Sequence, residues 1–160
     1  MSIIRSTAKA IVVDHGRVLL NLCRDQWNGE YYTLPGGGQE TYETIAQALV
    51  RECREETGYT VRPVRFAALC EEICDDPLMR EQYPVYAHKM LHIFLCELAS
   101  PERQEPTEVD DFQLSCQWVE AERLGEITLL PAPLGKHLKE ILDGAPPLFL
   151  GSDHLAHNHA

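Results

Sequence analysis

Two apolar runs of strand length open the chain, AKAIVV at 8–13 and VLLNLC at 18–23, and DHGR between them (Asp14 to Arg17) has the turn chemistry of a hairpin. YYTL, ending just before Pro35, reads as another short strand, and a glycine run follows it. From Thr41 to Thr57 there is neither Gly nor Pro, and Gly58 comes next, which predicts a helix with a C-terminal stop. Thr41 is placed to act as a simple N-cap, and Thr44 three residues on makes no capping box with it. Residues 59–74 alternate like a strand interrupted at Pro63, and 75–86 read as a loop carrying Asp75, Asp76, Pro77 and Pro84. KMLHIFLCEL (89–98) is the strongest strand pattern and is expected at the centre of a sheet. The acidic, Pro-containing stretch 100–111 predicts a loop, FQLSCQWV (112–119) a strand, and apolar positions 134, 138, 141 and 142 a helix over 133–142. Strands, helix, strands, helix give an α/β class, a mixed sheet with helices packed on it. One domain is expected over 1–147. The segment 148–160, ending GSDHLAHNHA, is read as a flexible tail or a contact in a homodimer.

Composition narrows the function classes. At 160 residues and 44% hydrophobic, the chain fits one domain with one core. A formal net charge of -11 argues against binding a nucleic acid polymer, which needs a basic footprint. It leaves phosphorylated small molecules open, because bound divalent cations invert the local sign. Six cysteines occur with no CxxC spacing, which disfavours a zinc ribbon and suggests a reduced, cytoplasmic protein. No signal-peptide pattern and no apolar run of membrane-spanning length is visible, so no membrane partner is expected.

The predicted helix carries a charge pattern that a fold alone does not explain. Glu52, Glu55 and Glu56 stand at i, i+3 and i+4, within an arc of roughly 100° on one face. Ala46, Leu49, Val50 and Cys53 lie on the adjoining arc and can pack on a sheet. Arg51, four residues before Glu55, can pair with it and leave the other carboxylates for a cation. Hard cations such as Mg²⁺ or Mn²⁺ take carboxylates, waters and substrate phosphates as ligands. The glycines before the helix let main-chain carbonyls reach the same place. Three glutamates alone would read as a solvated face; the glycine run and Arg51 change that balance.

With those residues laid out, the stretch resembles the signature of the Nudix hydrolases: G, five residues, E, seven residues, then R-E-U-x-E-E-x-G-U, where U is bulky and apolar. Here it reads Gly37, Glu43, Arg51, Glu52, Cys53, Arg54, Glu55, Glu56, Thr57, Gly58 and Tyr59, with every fixed letter matched. Cys53 and Tyr59 stand where an aliphatic residue is usual. LPGGG ahead of it and the Gln113–Val119 strand are similar to small members of the family, MutT-like or ADP-ribose pyrophosphatase-like. The resemblance implies a Nudix fold, a mixed β-sheet sandwiched between α-helices. It implies hydrolysis of a nucleoside diphosphate linked to another group, with Mg²⁺ or Mn²⁺. It implies Glu52, Glu55 and Glu56 as metal ligands, with the Gly36 carbonyl as a further one. Arg51 would orient a catalytic glutamate, and Glu43 would support the loop–helix junction. Glu55, Glu56 or a loop carboxylate not identifiable from sequence would take the proton of the attacking water.

ADP-ribose or a nucleotide sugar is the favoured substrate class, with nucleoside triphosphates and dinucleoside polyphosphates as competitors. A ligand sensor built on the same fold would be expected to lack one or more of the glutamates. Arg24 is a candidate phosphate contact, and Trp27, Tyr31, Tyr32 and Tyr86 are candidates for stacking on a base. His92 reads as a satisfied sheet histidine, and His154, His157 and His159 as residues that could trap metal adventitiously.

Overall fold

β1 (Arg5–Asp14) and β2 (Arg17–Asp25) form the expected hairpin, closed at Val13↔Val18 and Asp14↔Arg17. In the computed structural model, residues 3–159 are described. Met1 and Ser2 of the expected domain, and Ala160 at the end of the expected tail, lie outside the described residues. β3 (Gly29–Thr33) pairs with β2, and the three-residue β4 (Gly36–Gly38) pairs with β1. α1 (Ile45–Thr57) follows, then β5 (Tyr59–Cys74), two short helices α2 (Pro77–Gln82) and α3 (Pro84–Ala87), and β6 (His88–Arg103). β7 (Gln113–Glu120), a 3-10 turn, β8 (Leu129–Leu130), α4 (Ala132–Leu142) and β9 (Leu148–Leu155) complete the chain.

The sheet runs β8-β3-β2-β1-β6-β5-β9, with β4 added on β1 and β7 on β2. It is mixed: β1 and β6 are parallel, as are β5 and β9, whereas β5 and β6 are antiparallel. β6 is central, between β1 and β5, because its run is apolar on both faces. Alternate residues of β1 feed two cores. Ile11 packs with Leu134, Leu138 and Ile141 of α4, while Ala8, Ala10 and Val12 pack with Ala48, Leu49 and Cys53 of α1. Each fully buried Leu or Ile there contributes roughly 1.5–3 kcal/mol. The arrangement is a curled mixed sheet sandwiched between helices.

Three local expectations are corrected. The cap of α1 is Thr44, not Thr41: Gln47 N donates to Thr44 Oγ1 (3.1 Å) and Thr44 N to Gln47 Oε1 (2.9 Å). This reciprocal box satisfies two otherwise orphaned amides, which a single Thr41 hydroxyl cannot. The stretch 75–86 is mostly helical, with Asp76 capping α2 and a proline opening each short helix. The segment read as a tail forms β9, which covers the edge of β5 from Ala68↔Leu148 to Cys74↔Leu155. Pro63 lies ahead of that coverage, where β5 has only β6 beside it, and the register shifts between Pro63 and Arg65. No helix among the described residues is long and apolar enough to cross a membrane.

Candidate active site

β4 lies flat on β1 and delivers its glycines to the face of α1. Gly36 has φ 140, and a Cβ there would sit 2.0 Å from the Ala8 carbonyl oxygen, so only glycine fits. At Gly37 a Cβ would fall 2.4 Å from Glu52 Oε2, so the bare main chain is what lets the Glu52 carboxylate reach the loop.

Arg51 is the hub that holds this junction. Its Nε and Nη2 donate to the two oxygens of Glu43 (2.7 and 2.9 Å), and Nη2 also donates to the Gly38 carbonyl (3.0 Å). Nη1 donates to Glu52 Oε1 (2.8 Å) and Glu55 Oε2 (3.2 Å). These hydrogen bonds hold the Glu43 carboxyl down to about 2 and push the Arg51 guanidinium up. Burial, with repulsion from Glu52, pushes the Glu55 carboxyl up. Arg51 therefore pairs with Glu55 as the spacing suggested, but its two-pronged partner is Glu43.

Glu56 faces the cavity. Its Oε2 accepts from Asn21 Nδ2 (3.0 Å) and from the Gly36 amide (3.1 Å). Burial pushes its carboxyl to about 7, against the pull of the Lys9 ammonium and those two donors. Lys9 Nζ donates to the carbonyls of Gly36 (3.2 Å) and Leu34 (3.4 Å), so a fixed positive charge already lies against the Gly36 oxygen. A cavity of ≈ 370 Å³ opens over these groups and is lined by Arg5, Lys9, Asn21, Gly36, Gly37, Gly38, Glu52, Glu56, Glu108, Asp110 and Gln113.

The donor set suits a hard divalent cation: it is all oxygen, from clustered carboxylates and a main-chain carbonyl. Among the described residues no three carboxylate, His or Cys side chains already converge as a cage. Glu52 and Glu55 lean on Arg51, and Glu56 on Asn21 and the Gly36 amide, so water or phosphate oxygens would have to complete any coordination shell.

The structure brings Gly36, Glu52 and Glu56 to one cavity, with Glu55 and Arg51 behind them. It does not bring Arg24 there: Arg24 points to solvent and pairs with Glu30 at 2.7 Å. The stacking candidates divide. Tyr31 is buried, Tyr32 donates through its hydroxyl to Gln117 Oε1 at 3.0 Å, and Trp27 and Tyr86 remain exposed. His92 is satisfied in the sheet by the Thr7 carbonyl (3.2 Å). Sequence reasoning missed Lys9, Asn21, Arg5 and Glu108. For Lys9 and Asn21 a signal existed, a single polar residue inside each apolar strand run; Glu108 is one of many acids in its loop. The amides of Thr107 and Glu108 donate to the Glu55 carbonyl (2.9 and 3.0 Å), which sets this acidic loop against the helix.

A family model for the NUDIX domain matches residues 4–143. The phosphatase NudJ of Escherichia coli (strain K12) is 30% identical over 132 residues, 80% of this chain and 76% of NudJ. Among solved structures, a MutT protein from Bacillus halodurans superposes with a TM-score of 0.67 at 24% identity, covering 94% of this chain and 90% of that one. An ADP-ribose pyrophosphatase from Streptococcus suis does so with a TM-score of 0.60 at 19% identity, covering 92% and 99%. The chain belongs to the Nudix family and is a hydrolase of that family, a class that acts on nucleotide-derived small molecules with the help of divalent metal ions.

Proposed function

We propose that the protein hydrolyses the diphosphate of a nucleoside diphosphate linked to a second group, with ADP-ribose or a nucleotide sugar as the favoured class and Mg²⁺ or Mn²⁺ as the cofactor. The observation that carries the reading is the oxygen set of Gly36, Glu52 and Glu56 facing one cavity that also contains the cations of Arg5 and Lys9. Glu52 and Glu56 would hold the cation, joined by the Gly36 carbonyl and Glu55 as these exchange their contacts to Lys9 and Arg51 for it, and the cation would supply Lewis-acid charge and make water more acidic. Arg51 keeps Glu52 and Glu55 from relaxing away from one another. Arg5 and Lys9 face the phosphate oxygens, where fixed positive charge favours a crowded anionic transition state. Glu56 and the loop acids Glu108 and Asp110 are the candidates for taking the proton from water, since all three line the cavity.

Support for a hydroxyl-bearing second group comes from the cavity wall. Among the described residues, Thr7 Oγ1, Gln113 Oε1 and Asn158 Oδ1 are buried without a hydrogen-bond partner, and all three residues line this one cavity. The Gln113 amide is oriented by its nitrogen, which donates to Asn21 Oδ1 (3.2 Å) and the Glu56 carbonyl (3.4 Å), leaving an acceptor. Acceptors in that number suit sugar hydroxyls better than a further phosphate. All six cysteines are unpaired, which fits a reducing compartment such as the cytoplasm. The test is a competition of ADP-ribose, a UDP-sugar, a nucleoside triphosphate and a dinucleoside tetraphosphate at equal concentration and matched free Mg²⁺. The sugar-linked compounds are expected to give the highest kcat/KM. A highest value for the triphosphate, with pyrophosphate released, replaces this reading with that of a house-cleaning triphosphatase.

A further inference from the structure

Beside the proposed catalytic cavity lies a second one of ≈ 590 Å³, and the two share Tyr86, Val109, Asp110, Asn158 and His159. Its walls are aromatic and open to solvent: Trp27, Tyr83, Tyr86 and Phe112 are 53, 53, 47 and 44% exposed. Single exposed aromatics are ordinary, but four around one cleft mark a binding surface. They come from distant parts of the chain, the β2–β3 turn, the α2–α3 region and the approach to β7.

A further wall is the segment 157–159, and it is built rather than draped. His157 stacks on Trp27 with ring centroids 5.6 Å apart and planes 20° from parallel. Asn28 Nδ2 donates to the Asn158 carbonyl (3.3 Å), and Asn158 Nδ2 donates to the Tyr86 carbonyl (3.2 Å). His159 is buried against the Glu72 carboxylate, which Lys89 also pairs at 3.4 Å. The Arg5 guanidinium lies 5.0 Å from the Tyr86 ring centroid, and a Cβ on Gly38 would meet it at 2.2 Å. That cation thus borders both the aromatic cleft and the phosphate end of the catalytic cavity.

We propose that the aromatic cleft seats the amino-bearing nucleobase of the substrate, with the segment 157–159 as its specificity wall. A planar heterocycle matches the flat Trp27–His157 face, since base–aromatic stacking needs only a π surface. The rim carboxylates of Asp110 and Asp111 are acceptors for ring or exocyclic N–H groups. Continuity with the catalytic cavity makes the cleft part of one substrate path rather than a separate docking face. The inference rests on the pyrophosphohydrolase reading, and its test is chosen to be independent of turnover.

Binding of AMP, UMP and ribose 5-phosphate is measured by titration calorimetry in EDTA, on the wild type, Trp27→Ala and Trp27→Phe. AMP is expected to bind more tightly than ribose 5-phosphate. Trp27→Ala should weaken AMP by about 5- to 150-fold, the range of one lost base–aromatic stack. Trp27→Phe should keep most of the affinity, and ribose 5-phosphate should be indifferent to both changes. Equal binding of AMP and ribose 5-phosphate overturns the proposal, and so does unchanged AMP affinity in Trp27→Ala. A Trp27→Ala protein that loses self-association in sedimentation while binding AMP normally also overturns it, making the cleft an interface between copies. If AMP binds as expected but no diphosphate is cleaved with Mg²⁺, the catalytic reading fails and this one stands.

Discussion

Lys89→Met isolates the energetics of the buried cluster beneath the 157–159 segment. Glu72 is 1% exposed and Lys89 9%, with 3.4 Å between their charged atoms. Burial alone would push the Glu72 carboxyl up, but Lys89 and His159 outweigh it and hold the group well below its ordinary value. Removing Lys89 leaves a carboxylate in the interior with, of these two partners, only its contact to His159 to offset burial. Breaking a buried pair this way costs roughly 3–5 kcal/mol, and the retained histidine contact argues for about 3. In a domain of this size each kcal/mol moves Tm by about 2–4 °C, so a fall of about 6–12 °C is expected. The double variant Lys89→Met/Glu72→Leu removes the stranded charge and should recover most of the loss. Urea unfolding at pH 7 of the wild type, both single variants and the double gives the coupling directly. The pH dependence has a definite sign. Glu72 has a folded pKa below its unfolded one, so its contribution is complete above about 4.5 and is lost as pH falls toward about 2. Without Lys89 that loss should begin at higher pH. A cost below about 1 kcal/mol for Lys89→Met, or a double variant as unstable as the sum of the singles, would refute the reasoning.

Glu56→Gln should lower kcat by at least about a hundredfold while the protein stays folded, because the change relieves crowded negative charge; normal turnover would remove this residue from the chemistry. The two glycines before the helix should separate stability from activity. Gly36→Ala forces a Cβ to within 2.0 Å of the Ala8 main chain at a positive φ, and thermal unfolding should show a loss of at least about 1 kcal/mol. Gly37→Ala meets only the movable end of Glu52, so Tm should change little while kcat/KM falls, and the opposite pattern would contradict the assigned geometry.

The elements with a strong period were legible. β1, β2, β6, β7 and α4 appeared from apolar spacing because each buries a fixed set of positions. Three features were hidden. β4 is three glycines with no side-chain pattern, and exists because β1 offers its edge. β9 shows only LFL before polar residues, and is specified by the open edge of β5, a partner some eighty positions earlier. The α2–α3 region is made by caps and prolines, which also signal loops. At the site, the helix glutamates were readable because one helix face gathers them. Glu108 and the aromatic cleft depend on tertiary approach. The histidines near the end of the chain look like a compositional oddity until Glu72 and Trp27 come to meet them.

The loop before β7 is fastened at both ends, to α1 and its cap at the near end and, through Arg24 N donating to the Phe112 carbonyl (3.0 Å), to β2 at the far end. Gln104 N donates to the Gly58 carbonyl (2.9 Å), and the amides of Thr107 and Glu108 to that of Glu55 (2.9 and 3.0 Å), while Val109 and Phe112 extend beyond toward the cleft. Residues can therefore be inserted or exchanged past Val109 without moving Glu108 relative to the helix. Glu108 is thereby held to the helix independently of the residues between Val109 and Phe112 that border the cleft. On the proposed reading, exchanges confined to Asp111 and Phe112 would change what the cleft accepts while Glu108 keeps its place against the helix.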